Sequence, residues 1–292
     1  GRLAAELLQA LGELGCAPES YAILDVSGEL RQRQHQTLRD LAPTWLPRVR
    51  WLDAWPTTWQ GVMVGNEVLD AMPVERFAIT PQGPRPWLVD YDVERRGFVW
   101  RLGAEDPAVS EAVAAIESGL AEPLPLDYTS EYCPTLKPWL ASAAEVLTRG
   151  MMLLVDYGYS RREYYHPERR EGTLVCHYRH RVHDDPFCWP GLQDISANVD
   201  FTAVAEAAVA AGLEVAGYTR QGWFLLNCGL EGVLAAAEAL ATTDAQRLAL
   251  RQQVAQLTLP TEMGERFKVV ALSKDLAEPL VGFARGDDRH RL

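Results

Sequence analysis

GVMVGNEVLDAMPVERF, residues 61–77, decides how the rest of the chain is read. It opens as an apolar strand, with Val62, Met63 and Val64 in a row. It then presents Asn66, Glu67 and Asp70, and Pro73 closes it. In open α/β sheets the ligand sits outside the carboxyl ends of the strands. An amide and two carboxylates directly after a buried strand therefore mark a candidate site. Each also has an ordinary use: Asp70 can pair with Arg76, and Asn66 can cap the following turn. As a site, the cluster suits a cationic guest, a sulfonium or a guanidinium held by two parallel hydrogen bonds. A carboxylate there can also act as base when a nitrogen must lose a proton.

Upstream, YAILDV at 21–26 reads as a short strand ending in Asp25. Ser27 is placed to cap a helix over GELRQRQHQTLRDL, with Leu30, Leu38 and Leu41 on one face. RVRWL follows as a further strand. Strand, helix, strand with continuous apolar strands is the rhythm of a parallel, doubly wound sheet. Leu3, Leu7, Leu11 and Leu14 recur at helical spacing, so Gly1 sits at the start of a helix, and a strand and loop are expected before it. Asp25 follows Gly1 at about the distance, roughly 20 residues, at which an acid takes the ribose of a bound nucleotide. It can equally be a loop acid or a helix cap.

Downstream the pattern changes. RFAITPQGPRPWLVDYDVERRGFVWRLG alternates around Gly and Pro, as inserted antiparallel hairpins do. Residues 105–120 read as a helix, and PLPLDYTSEYCPTLKPW as a loop around Glu131. The expected core is 1–77 with 137–292, and 78–136 is an inserted substrate- or partner-binding subdomain. PWLASAAEVLTRG reads as a helix stopped by Gly150, and MMLLVDYG as a buried strand ending in Asp156. Residues 159–199 read as one long functional loop. Asp200 caps FTAVAEAAVAAG, which stops at Gly212, and LEVAGYT is a strand. GVLAAAEALA and AQRLALRQQVAQL form a helical pair, RFKVVALS is the last strand, and RGDDRHRL a frayed tail.

The charge balance of -12 and the pI near 5.0 argue against a nucleic-acid partner, which needs clustered Lys and Arg. The basic runs RREYYHPERR and HYRHRVH read as solvated surface. Five dispersed cysteines without C-x-x-C give neither a disulfide framework nor a zinc site, and fit a reducing compartment. A cytoplasmic location is expected, with the mitochondrial matrix as second choice. No apolar run approaches the roughly 20 residues of a bilayer span, so membrane insertion is not expected. His177, His180 and His183 are spaced three apart, but Arg179 and Arg181 stand between them, and no metal site is assigned. No G-x-S-x-G or P-loop signature is present.

GNEVLDAMPVERF also resembles the N-E-x-x-D-A-x-P segment of the MidA-like family of S-adenosyl-L-methionine (SAM)-dependent methyltransferases. That family includes the mitochondrial arginine methyltransferase needed for assembly of respiratory complex I. YAILDVSGELRQRQ is similar to the family's second strand and helix, and YTSEYCP with KPWL to its segment before the fifth strand. LLVDYGY and PGLQDISANVDF resemble its D-Y-G and D-(L/I)-(T/S)-A-x-V-D-F segments, and GERFKVVAL its final strand. The resemblance covers nearly the whole chain. The rest of the family's glycine loop and its first strand have no counterpart here.

The resemblance implies a class I SAM-methyltransferase fold, α/β and Rossmann-like, with a mostly parallel sheet and an inserted hairpin and helical segment. It implies SAM as cofactor. Gly1 would be the last glycine of the E-x-G-x-G loop, Asp25 the ribose acid, Asp53 a neighbour of the adenine, and Asn66 a contact beside Glu67. Glu67, Asp70, Glu131 and Asp194 would guide and deprotonate an acceptor nitrogen. The implied reaction is methylation of an arginine guanidinium on a protein substrate, such as a respiratory-complex subunit, and a homodimer is compatible with it. An assembly chaperone that keeps the fold but binds a client through 78–130 and 159–199 is the alternative. A nicotinamide oxidoreductase shares the strand-end acid, but nothing resembles its catalytic residues.

Overall fold

The computed structural model describes residues 1–179 and 181–292. They form two compact units, Gly1–Trp59 and Gln60–Leu292, in a mixed α/β fold.

The first unit contains α1 (Arg2–Glu13), β1 (Tyr21–Leu24), α2 (Gly28–Leu41) and β2 (Val49–Leu52). β1 and β2 pair in parallel, with Tyr21 opposite Val49. The Ser27 hydroxyl accepts from the Leu30 N–H and caps α2. The leucine stripe expected on α1 is not its buried face. Ala4, Ala5 and Leu8 pack with Leu38 and Ala42, while Leu3 and Leu14 are exposed. Small side chains at the contact let two helices approach closely, and this outweighs the larger apolar area of the leucines.

β3 (Trp59–Asn66) starts at the last residue of the first unit, and its other residues open the second, followed by β4 (Glu75–Thr80), β5 (Gly83–Asp92) and β6 (Gly97–Leu102). Next come α3 (Pro107–Ser118), β7 (Thr129–Tyr132), α4 (Leu136–Val146) and β8 (Leu147–Tyr159). The stretch expected to be one irregular loop holds α5 (Arg161–Tyr164), β9 (Val175–Tyr178), β10 (Arg181–His183), β11 (Asp194–Ser196) and β12 (Val199–Asp200). Then follow α6 (Phe201–Ala210), β13 (Glu214–Arg220), α7 (Gln221–Asn227), α8 (Leu230–Leu240), α9 (Asp244–Thr258), α10 (Met263–Arg266) and β14 (Phe267–Lys274).

The main sheet of this unit has the order β12, β8, β14, β13, and β3 also pairs with β8. β12 runs parallel to β8, while β14 runs antiparallel to both β8 and β13. Val269, Val270, Ala271 and Leu272 of β14 are fully buried. β3 is less enclosed than its apolar run suggests, because Val62 and Val64 are about half exposed. A short apolar run does not by itself tell one covered face from two.

A second, antiparallel sheet has the order β6, β5, β4, β7 and packs Phe77 and Ile79 against Val109, Val113 and Ile116 of α3. Here the expected loop around Glu131 is corrected. Residues 129–132 form β7, paired with β4 so that Glu131 lies opposite Arg76. Four prolines in the surrounding segment hide a strand whose pairing partner lies about fifty residues away. Gly150 is a second correction. Helix α4 ends at Val146, and Gly150 lies inside β8 at φ +132. The tail is a third. Asp288 N–H donates to the Tyr218 carbonyl at 2.7 Å, and Arg289 Nη1 to the Val215 carbonyl at 3.0 Å, so it is tied to β13.

Capping follows the sequence closely. Asp200 accepts from the Thr202 and Ala203 N–H groups at the start of α6, and Thr243 with Gln246 forms a reciprocal box on α9. Among the described residues no single helix is long and apolar enough to cross a membrane.

Candidate active site

β3 delivers the N-E-x-x-D segment onto the end of β8. Glu67 has a left-handed backbone, φ +51, yet its N–H still donates to the Val155 carbonyl at 2.9 Å. A non-glycine residue there costs conformational energy and persists only where its surroundings hold it. The holding group is Asp156. Its Oδ2 accepts from the Leu69 N–H at 2.9 Å and the Asp70 N–H at 3.2 Å, and its Oδ1 from the Tyr157 N–H at 2.9 Å. The strand-end acid of β8 is thus the anchor of the turn after β3.

Burial, followed by the nearby charge of Asp70, pushes the Asp156 carboxyl up to about 7 against the pull of its three N–H donors. The unfolded chain gives up this proton near the ordinary value of 3.8, while the folded chain keeps it to about 7. Between those values the folded state binds more protons, so stability falls as pH rises, by on the order of 3–4 kcal/mol over the window. The melting temperature should therefore decline from about pH 4 to pH 7, and Asp156→Asn should flatten that part of the curve. Equal slopes in the two proteins would remove Asp156 from the effect.

Asp70 is 7% exposed. Its Oδ2 accepts from the Tyr157 hydroxyl at 2.6 Å, and its Oδ1 is buried with no partner among the described residues. The Tyr157 oxygen is 2.7 Å from the Ser196 hydroxyl, which can donate to it in turn. Burial, then the hydrogen bond to Asp70, holds the Tyr157 phenol well above its usual range, so it remains a donor. The Asp70 carbonyl accepts from the Ala197 N–H at 3.3 Å, which ties β11 to the same turn.

Together these residues wall a cavity of about 460 Å³, lined by Glu67, Asp70, Tyr157, Asp194, Ser196, His177 and Arg266 among others. Three carboxylates face one arginine and one histidine. A buried carboxylate oxygen without a donor is costly, and a cationic N–H donor would satisfy it.

The fold thus brings Glu67, Asp70 and Asp194 into one cavity. It places Glu131 elsewhere. Glu131 is fully buried, and its Oε1 accepts from the Tyr164 hydroxyl and from the N–H and hydroxyl of Thr173, at 2.6 to 2.9 Å. Burial raises its carboxyl. Its Oε1 contacts tie β7 to the 164–173 segment, and its Oε2 is buried with no partner among the described residues. Asn66 is exposed, with its amide 3.1 Å from the Glu67 carboxylate. The sequence reading singles out Asp156 as a strand-end acid but not Tyr157 or Ser196, although D-Y-G and DISANVDF carry them.

Gly1, Asp25 and Asp53 belong to the first unit. The Asp25 carboxylate accepts from the Gln34 amide at 2.6 Å and the Ser27 N–H at 2.9 Å. Arg31 donates to the carbonyls of Asp25 and Leu52 and pairs with Asp53 at 2.7 Å, so it ties the ends of β1 and β2 together. A carboxylate offers about four acceptor positions, so Asp25 keeps capacity for further donors. His177 lies on β9 and His183 on β10, and His180 lies outside the described residues.

The family described as putative S-adenosyl-L-methionine-dependent methyltransferase matches residues 1–219. The mitochondrial protein arginine methyltransferase NDUFAF7 of Homo sapiens is 29% identical over 211 residues, 72% of this chain and 44% of that protein. Its Drosophila melanogaster homolog is 27% identical over 238 residues, 76% of this chain and 51% of its own. The chain therefore spans about half the length of these relatives. Two Burkholderia thailandensis structures superimpose over 100% of this chain, each with a TM-score of 0.91. One, of an uncharacterized protein, is 45% identical and 76% covered. The other, solved with S-adenosyl-homocysteine bound, is 44% identical and 73% covered.

Proposed function

The chain belongs to this SAM-dependent methyltransferase family, and on that premise we propose that it transfers a methyl group from SAM to an arginine guanidinium of a protein substrate. The observation that carries the reading is that Asp70, whose Oδ1 is buried without a partner among the described residues, lines one cavity with Glu67 and Asp194. A guanidinium offers five N–H donors in a planar fork, which matches such carboxylates. The arginine methyltransferases among the relatives support the same acceptor. The family resemblance points to a respiratory-complex subunit as the protein.

The residues of the first unit fit the cofactor. Asp25 is held by Gln34 and Ser27 with acceptor capacity to spare, as a ribose contact requires. Gly1, Asp53 and Asn66 are proposed as further contacts. When bound, SAM supplies a methyl group on an electron-poor sulfonium. The chain's own work is then positional. Asp70 and Asp194 orient the guanidinium, Glu67 holds its outer edge, and Tyr157 keeps Asp70 in one rotamer. Asp70 accepts the proton that the nitrogen loses. Holding donor and acceptor in line supplies much of the rate.

The test is direct. The protein is incubated with methyl-labelled SAM and arginine- or lysine-bearing peptides, and the hydrolysate is assayed for methylarginine. Label on lysine alone, or on neither, overturns the acceptor assignment. In calorimetry, Asp25→Ala should weaken SAM binding about a hundredfold, since two hydrogen bonds to a charged acceptor contribute about 3 kcal/mol. Unchanged affinity would free Asp25 from that role.

A further inference from the structure

Beside the acidic cavity lies a second one, of about 570 Å³, with a different character. Trp87, Val89, Trp100, Phe187 and Ile195 line it, Glu75, Asp106 and Glu131 line it too, and Arg76 stands over the Trp100 ring at 5.1 Å. On the β5–β6 ribbon Val89 stands opposite Trp100, and Tyr91 opposite Phe98, so these side chains share one face. Phe187 packs on both Trp100 and Phe98, at 5.1 and 6.2 Å between ring centroids. The face nevertheless stays open. Val89 is 56% exposed, Tyr91 51% and Phe98 45%. A contiguous apolar patch rimmed by polar residues marks an interaction site more often than a scattered one does.

The two cavities share a wall. Along β11 successive side chains point to opposite faces. Asp194 lines the acidic cavity, Ile195 lines the aromatic groove, and Ser196 reaches both. The turn after β3 does the same. Asp70 is in the acidic cavity, and Ala71, Met72 and Pro73 are in the groove. The partition is one strand thick. An extended peptide advances about 3.3 Å per residue, so a few residues carry it from one chamber to the other.

We propose that the aromatic groove receives a bulky apolar side chain of the protein substrate, within about three residues of the arginine that enters the acidic cavity. This rests on the arginine reading above. The occupant follows from the carboxylates of the first chamber and the aromatic and aliphatic side chains that line most of the second. A chain that fills both carries a cation with a Phe, Trp, Leu or Met close by. The site selects substrates by that pairing.

The experiment uses fluorescent peptides of Gly and Ser with one central Arg, and Phe placed in turn at each nearby position on either side. Affinity for the whole protein is read by anisotropy in the presence of S-adenosyl-homocysteine. At least one placement should bind about tenfold tighter than the Phe-free peptide, as one well-buried aromatic anchor does. Val89→Glu and Ile195→Glu should each bring that ratio close to one. If no placement helps, or if both variants keep the advantage, the groove proposal is overturned. Replacing the Arg by Gln separates the two readings. Equal binding of the Gln peptide sinks the arginine assignment, and a Phe effect that survives alone shows the groove without the cation.

Discussion

Asp70→Asn should lower methyl transfer by about a thousandfold, with SAM affinity changed less than about threefold. The geometry sets the size of the effect. Asp70 lines the cavity, its Oδ2 is taken by Tyr157, and Oδ1 is left as a buried acceptor without a partner among the described residues. Asparagine keeps the shape and still accepts from Tyr157. In that pose its NH₂ replaces Oδ1, so a guanidinium N–H meets another donor instead of a charge. Orientation and proton acceptance fail together. Tyr157→Phe is the informative comparison. It removes one donor to Asp70 but leaves the charge, and the loss should be about tenfold. Single-turnover transfer from labelled SAM to an arginine peptide measures both. Near-normal turnover in Asp70→Asn would move the acceptor role to Glu67 or Asp194.

What the sequence disclosed and what it hid divide along one physical line. Features decided within a few residues were readable. Ser27 and Asp200 cap the helices they precede, Thr243 closes a box with Gln246, and the N-E-x-x-D segment stands at a strand end. Features decided by partners far along the chain were not. Nothing near Glu131 announces that β7 pairs with β4, or that Tyr164 and Thr173 close over its carboxylate. The 159–199 segment reads as a loop because β9, β10 and β11 are short and satisfy one another. Asp156 shows the same limit at the site. As a strand-end acid it looks like a ligand contact, whereas its Oδ2 goes to two backbone N–H groups nearly ninety residues away and its Oδ1 to the next residue's N–H. Ser196 and Tyr157 meet only because β11 is drawn to the turn after β3.

Gly150→Ala is expected to be strongly destabilising, at more than about 4 kcal/mol. Two costs combine. Alanine at φ +132 lies outside the backbone regions open to an L side chain. A Cβ built there would also stand 1.9 Å from the Gly61 carbonyl oxygen, a backbone atom that cannot rotate aside. β3 and β8 would have to separate where they begin, and these strands carry Glu67, Asp156 and Tyr157 at their other ends. Gly15→Ala is the control, because Gly15 also has a positive φ but nothing lies within 4 Å of its Cβ position. It should cost only about 1 kcal/mol, the backbone share alone. Thermal melts of the two variants separate strain from close approach. A drop for Gly150→Ala no larger than that for Gly15→Ala would mean that the paired strands can yield. The site's geometry would then owe less to the β3–β8 contact than to the Asp156 carboxylate that holds the turn.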